Sequence, residues 1–204
     1  MKILVIGNES SLNELTADSK NIQWLSVDNI SSFFESKDAD AFFNLTTDAH
    51  LHDYSKINKP VFINSVSKTL AEMNASKNII RINGWNGFVK RTSWEVAGDL
   101  SSSHAEILNA LQKKTIVTPD EPGFISARII AMIINEAFFA KEENISTENE
   151  IDIAMKLGTN YPHGPFEWAD EIGIKNIYDL LFNLSKNDAR YKPSALLEKK
   201  AIDQ

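Results

Sequence analysis

The chain has no cysteine among its 204 residues. That absence removes disulfides, cysteine nucleophiles and thiolate metal sites together, and it fits a reducing compartment. Long apolar runs are missing as well. The most apolar stretch, Ile125 to Ala140, is broken by Ser126, Arg128 and the pair Asn135-Glu136, which argues against a membrane span. Only a few apolar residues follow Lys2 before polar ones begin, so no secretory leader is read and a cytoplasmic protein is expected. A basic excess is also lacking. The formal net charge is −7, with 12 Lys/Arg against 13 Asp/Glu in residues 1–118 and 9 against 15 in residues 119–204. Neither part has the balance of a nucleic-acid binder. There is no internal repeat and no low-complexity segment.

What is present is an alternation followed by a change of pattern. Short runs rich in Val, Ile or Phe predict strands at Lys2–Ile6, Trp24–Val27, Ala41–Leu45, Val61–Asn64, Ile79–Ile82, Trp94–Ala97 and Thr115–Thr118. Between them, helices are expected at Ser11–Ala17, Leu51–Ile57, Lys68–Asn74 and His104–Gln112, and residues 29–39 hold a loop and one short helix. This is the signature of an α/β layer with a mostly parallel sheet. Beyond Pro119 the pattern becomes all helical. Asp120-Glu121-Pro122-Gly123 reads as a helix start, with the helix running from Phe124 to about Glu143. Thr147 and Glu150 have capping-box spacing before a second helix that Gly158 ends. Pro165 opens a third, Ile174 to Leu184 forms a fourth, and the residues after Asn187 read as a tail. The expected domains are 1–118, Rossmann-like, and 119–204, helical.

Four motifs in the second part occur in order: Pro122-Gly123-Phe124, Asn135-Glu136-Ala137, Asp152 to Gly158, and Gly164-Pro165-Phe166-Glu167. In this the chain resembles the C-terminal domain of 3-hydroxyacyl-CoA dehydrogenases, strongly over residues 105–184 and weakly but continuously before them. The resemblance implies a Rossmann-type domain that binds NAD, a helical domain that forms a homodimer, and hydride transfer at the substrate C3. It also implies a histidine base oriented by a glutamate, with an asparagine and a serine on the substrate.

Residue by residue, this sequence departs from that pattern. The histidine of the family's His-Phe-Phe-Asn-Pro motif falls on Asn83, and the glutamate twelve residues later falls on Glu95. An amide hydrogen-bonds but does not take a proton near neutral pH. Glu95 reads equally well as a solvent-facing carboxylate at a strand end. The substrate asparagine falls on Ala127, and the serine region on Asn64-Ser65-Val66-Ser67. Ser67 reads equally as the cap of the helix expected at Lys68.

The cofactor loop is MKILVIGNESSL. Of the three glycines that a dinucleotide loop needs, only Gly7 remains. Glu9 and Leu12 stand at the other two positions. Asp28 matches the ribose-binding acid, but Asp-Asn is also ordinary turn composition. The segment between the second and third strands is short, which removes the region that touches CoA in the family. His50, His52, His104 and His163 form no metal-ligand pattern, and His163 reads as a turn residue before the Pro165 helix.

Three readings remain open: a dehydrogenase with an altered site, a homologue that has lost the hydride chemistry and binds an acyl-CoA-like molecule or a partner, and a dimeric interaction module. The second is favoured. No cofactor is expected beyond the NAD that the resemblance implies, and no metal, nucleic-acid or membrane partner is expected. The largely apolar helix after Gly123 predicts a homodimer through the C-terminal helices.

Overall fold

The computed structural model describes residues 1–17 and 21–203. The chain divides into two compact units, residues 1–124 and 125–204. The boundary lies beyond the expected Pro119, because residues 119–124 are bonded into the first unit.

The first unit is built on one sheet of seven strands: β1 (Lys2–Ile6), β2 (Gln23–Ser26), β3 (Ala41–Asn44), β4 (Val61–Asn64), β5 (Ile79–Ile82), β6 (Ser93–Ala97) and β7 (Lys114–Val117). Their order is β2-β1-β3-β4-β5-β6-β7. All pairs are parallel except β5 with β6. All seven strands stand where the apolar runs predict them, to within a residue at either end. Strands β3, β4 and β5 are buried along their whole length, as parallel strands covered on both faces must be.

Helices α1 (Glu9–Thr16) and α3 (Ser102–Ala110) cover one face, packing Leu15, Ile107 and Leu108 on Ile3, Phe43, Phe62 and Ile80. The other face packs α2 (Ile30–Glu35) and two connecting segments over Leu4, Phe42, Val61, Ile63 and Ile79. The sheet order reverses beside β1, so the topological switch point lies between β1 and β3, outside their carboxyl ends.

Two expected helices are absent. In place of Leu51–Ile57 there is one 3₁₀ turn, Ala49–Leu51. The Asp53 carboxylate then accepts from the Ser55 amide, and the Tyr54 hydroxyl turns inward to donate to the Ala49 carbonyl. These local bonds compete with a helical ladder. In place of Lys68–Asn74 there is a single turn closed at both ends. Thr69 and Glu72 cap each other reciprocally, and Asn74 takes the left-handed conformation (φ 48°), with the Ala75 amide bonded back to the Leu70 carbonyl. Thr69, not Ser67, is therefore the capping residue.

The second unit holds α4 (Ser126–Glu142), α5 (Glu148–Thr159), α6 (Pro165–Ile172), α7 (Ile174–Ser185) and α8 (Ala195–Ile202). Its core gathers Ile134, Phe138, Ile177, Leu180, Leu181 and Leu197. The Thr147–Glu150 capping box forms as read. Pro122 does not open α4, which begins at Ser126. Gly158 does not end α5 either; the stop is Asn160 in the left-handed conformation. The residues after Asn187 are not a tail. Asn135 in α4 donates to the Lys192 carbonyl and accepts from the Ser194 amide, and Ser194 caps α8. Among the described residues no helix is long and apolar enough to cross a membrane.

Candidate functional site

In an open parallel sheet, ligands bind outside the carboxyl ends of the strands at the switch point. The strand ends there carry amides. Asn44 ends β3, Asn64 ends β4 and Asn83 follows β5; all three are buried. Their bonds are largely internal. Asn44 donates to the Tyr54 hydroxyl and accepts from the Thr46 amide and hydroxyl. The Asn64 side-chain oxygen accepts from the Gly84 amide at 3.2 Å, and a Cβ on Gly84 would collide with Asn64. The Asn83 oxygen accepts from the Trp85 amide.

The twelve-residue spacing of Asn83 and Glu95 has a structural cause. In the β5–β6 pair, Arg81 stands opposite Ala97 and Ile82 opposite Val96. Asn83 directly follows Ile82 and Glu95 directly precedes Val96, so both stand at the same end of this pair. Glu95 is half-buried. At these two positions the chain supplies an amide and a carboxylate, and neither is an imidazole. Ser67 is half-buried in the loop after β4. Ala127 is fully buried in the first turn of α4, in the second unit.

The dinucleotide turn can be tested on its own geometry. A Cβ on Gly7 would meet the Ser11 hydroxyl at 2.7 Å and the Leu45 Cβ at 3.0 Å, so this glycine is required for helix–strand packing. Asn8 caps α1: its side-chain oxygen accepts from the Ser11 amide at 2.8 Å, taking up a donor that a phosphate would use. Glu9 adds an exposed carboxylate in the first turn. Leu12 packs against the apolar cluster where a third glycine would let the backbone come close.

The loop after Asn83 is bonded down onto this same turn. Asn8 donates to Asn86, and the Glu14 carboxylate accepts from the Gly87 and Lys90 amides at 2.7 and 3.2 Å. These residues do not fit a bound pyrophosphate. Asp28 lies just beyond β2. Continuing the β1–β2 register sets it level with Gly7, but it is exposed, and Asn29 beside it caps α2.

Arg81 has no counterpart in the sequence reading. It is fully buried in β5. Its guanidinium pairs with Asp120, donates to the carbonyls of Ser65, Val66 and Glu121, and lies over the Phe124 ring. Asp120 also accepts from the Leu70 and Ala71 amides. An arginine inside an otherwise apolar run is the signal that marks it.

The helical unit explains its own motifs. Asp152, buried in α5, accepts from the Phe166 and Glu167 amides at 2.8 and 3.1 Å and so caps α6 from a neighbouring helix. A Cβ on Gly164 would overlap the Asp152 carboxylate, which explains the glycine. Glu167 closes back on the Gly164 amide and pairs with Lys156. Asp152, Gly164-Pro165-Phe166-Glu167 and Asn135 thus form one fold-defining set. The family model described as 3-hydroxyacyl-CoA dehydrogenase, C-terminal domain, matches residues 123–203. Residues 123–203 belong to the 3-hydroxyacyl-CoA dehydrogenase family.

Among relatives, the 3-hydroxyadipyl-CoA dehydrogenase of Escherichia coli is 43% identical over 94 residues, covering 45% of this chain and 20% of the relative. A probable 3-hydroxybutyryl-CoA dehydrogenase of Bacillus subtilis is 30% identical over 142 residues, covering 66% and 50%. That match extends into the first unit. The crystal structure of the (S)-3-hydroxybutyryl-CoA dehydrogenase from Ralstonia eutropha superposes with a TM-score of 0.72 over 99% of this chain and 93% of that one. At 19% identity the likeness is one of fold. The chain spans between a fifth and a half of these two curated relatives.

Proposed function

We propose that this chain is a 3-hydroxyacyl-CoA dehydrogenase homologue tied to acyl-CoA metabolism that has lost efficient hydride transfer and acts by binding an acyl thioester or a partner. The observation that carries this is that Asn83 and Glu95 stand at the same end of the β5–β6 pair. The position that the resemblance gives to the base holds an amide, which takes no proton near neutral pH. Loss of the base lowers turnover by about 10²–10⁴-fold. The closed Asn8–Ser11 cap, and the loop bonded across it from Asn86 to Lys90, support the same reading for the cofactor.

The test is calorimetric titration with NADH and with acetoacetyl-CoA, followed by a turnover assay with both. The expected result is binding of the thioester without saturable binding of NADH, and no measurable oxidation. Binding of both with turnover at ordinary dehydrogenase rates overturns the proposal. Binding of neither favours a purely protein-interaction role.

Self-association through the helical unit belongs to the same proposal. Ile129 of α4, Ile153 and Leu157 of α5, and Ile145 between them are exposed, Leu157 to 83%. Ile153 and Leu157 stand four residues apart on one side of α5, and exposed apolar side chains so placed favour a covered face. Light scattering at micromolar protein is expected to give the mass of a dimer, and a monomer at that concentration refutes it.

A further inference from the structure

His104 is buried in the first turn of α3, and both of its ring nitrogens are engaged. Nε2 lies 2.9 Å from the carbonyl oxygen of Asn78, and Nδ1 lies 2.7 Å from the Ser101 hydroxyl. A carbonyl only accepts, so Nε2 carries the hydrogen. The neutral ring then has its lone pair on Nδ1, where the Ser101 hydroxyl donates to it. The Asn78 carbonyl also accepts from the Val61 amide at the start of β4, and the Phe62 ring stands nearly perpendicular to the imidazole at 5.5 Å between centroids. The sheet thus fixes both the tautomer and the orientation of the ring. Asn78 precedes β5 and Asn83 follows it, so this cluster is at the opposite end of the strand from the dehydrogenase-like positions.

Ser101 is exposed, as are Ser102 and Ser103. It is the N-cap residue of α3, yet its side chain caps no amide. An N-cap serine ordinarily accepts from an amide of the first turn. Here the hydroxyl turns to the ring instead, with the Ser103 hydroxyl 2.9 Å away. An accessible hydroxyl, a base within hydrogen-bond reach of it, and a third group that orients the base are the parts of an activated nucleophile. The helix-end amides left uncapped are donors of the kind that stabilise an oxyanion. Among the described residues no arginine or lysine bonds to Ser101, Ser103 or His104, so the cluster suits a carbonyl, which develops a single negative charge, better than a phosphoryl group.

We propose that Ser101 is a nucleophile that accepts an acyl group from an activated ester, with His104 as its general base and the Asn78 carbonyl as the group that orients the base. In the step, Oγ bonds to the acyl carbon as its proton moves to Nδ1. The bond from that carbon to the leaving oxygen then breaks, and the alkoxide or aryloxide departs with the electron pair. The imidazolium releases its proton to water, and the acyl group remains as an ester on Ser101. This activity is independent of the dehydrogenase-like reading.

The probe is p-nitrophenyl acetate, mixed with the full chain. A burst of p-nitrophenolate is expected, with the acetyl group placed on Ser101 by peptide mass spectrometry. Ser101 is expected to react about tenfold or more faster than its exposed neighbours Ser102 and Ser103. Ser101→Ala is expected to abolish the burst. His104→Gln keeps an amide donor for the Asn78 carbonyl and is expected to slow acetylation of Ser101 by about 10²-fold or more. Circular dichroism melts confirm that both variants are folded. Absence of acetyl-Ser101 in the parent chain overturns the proposal, and so does equal labelling of the three serines. An unchanged rate at Ser101 in folded His104→Gln also overturns it, and would leave the pair as a helix cap only.

Discussion

Replacing Arg81 by methionine is expected to destabilise the first unit by about 3–5 kcal/mol, the usual cost of removing one partner of a buried ion pair. The side chain is completely buried and serves four acceptors: the Asp120 carboxylate and the carbonyls of Ser65, Val66 and Glu121. Methionine fills much of the volume and restores none of the donors, and buried acceptors left unpaired carry the penalty. Urea denaturation followed by tryptophan fluorescence measures it, since Trp85 and Trp94 are buried in this unit. A loss under about 1 kcal/mol would show that water or a rearranged loop replaces the guanidinium.

The same pair sets a pH dependence. Burial acts to raise the Asp120 pKa, but the Leu70 amide, the Arg81 guanidinium and the Ala71 amide outweigh it, so the carboxyl is held below its ordinary range. A depressed carboxyl contributes stability that is fully present above the unfolded pKa of about 3.9 and is lost as pH falls through the folded value. The parent chain should therefore lose stability below about pH 4, and Arg81→Met should lose less of its remaining stability there.

Replacing Asp152 by alanine is expected to cost about 2–4 kcal/mol in the helical unit. The carboxylate satisfies two amides at the start of α6, and bonds to a charged acceptor are worth roughly 1.5–3 kcal/mol each. Without it, the Phe166 amide is buried with no acceptor, and Phe166 itself packs on Phe138 at 5.0 Å between ring centroids. Asp152→Asn keeps one acceptor and should lose about half as much. Gly164→Ala should destabilise by a comparable amount for the opposite reason, since its methyl group enters the space of the Asp152 carboxylate. Thermal unfolding of the three variants orders them. If Asp152→Ala melts with the parent chain, α6 is not capped in this way.

Much of this architecture was legible in the residues. The seven strands were readable because a parallel strand covered on both faces needs a continuous apolar run, as in Ile3 to Ile6 or Val61 to Ile63. The Thr147–Glu150 capping box and the Pro165 helix start were readable because both depend on neighbours a few positions away. The helices expected at Leu51–Ile57 and Lys68–Asn74 were misread because apolar spacing does not show the local bonds that end them: Asp53 and Tyr54 bonding their own neighbours, and Asn74 turning left-handed with the Ala75 amide closing on Leu70. Helix α8 was read as tail because Asn135, far earlier in the chain, holds its first turn.

The sequence by itself determined the order of the strands, the family of the helical unit, and the chemical identity at each site position: Asn83, Ala127, Glu9 and Leu12 are amide, methyl, carboxylate and isobutyl whatever the fold does. Only the tertiary structure decided what those groups meet. It brought Asn83 and Glu95 to the same end of the β5–β6 pair, tied the loop after Asn83 onto the Asn8 turn, buried Arg81 against Asp120, and left a cavity where two crossovers stay short. Local propensity acts between near neighbours along the chain, whereas each of these contacts joins residues brought together only when the sheet closes.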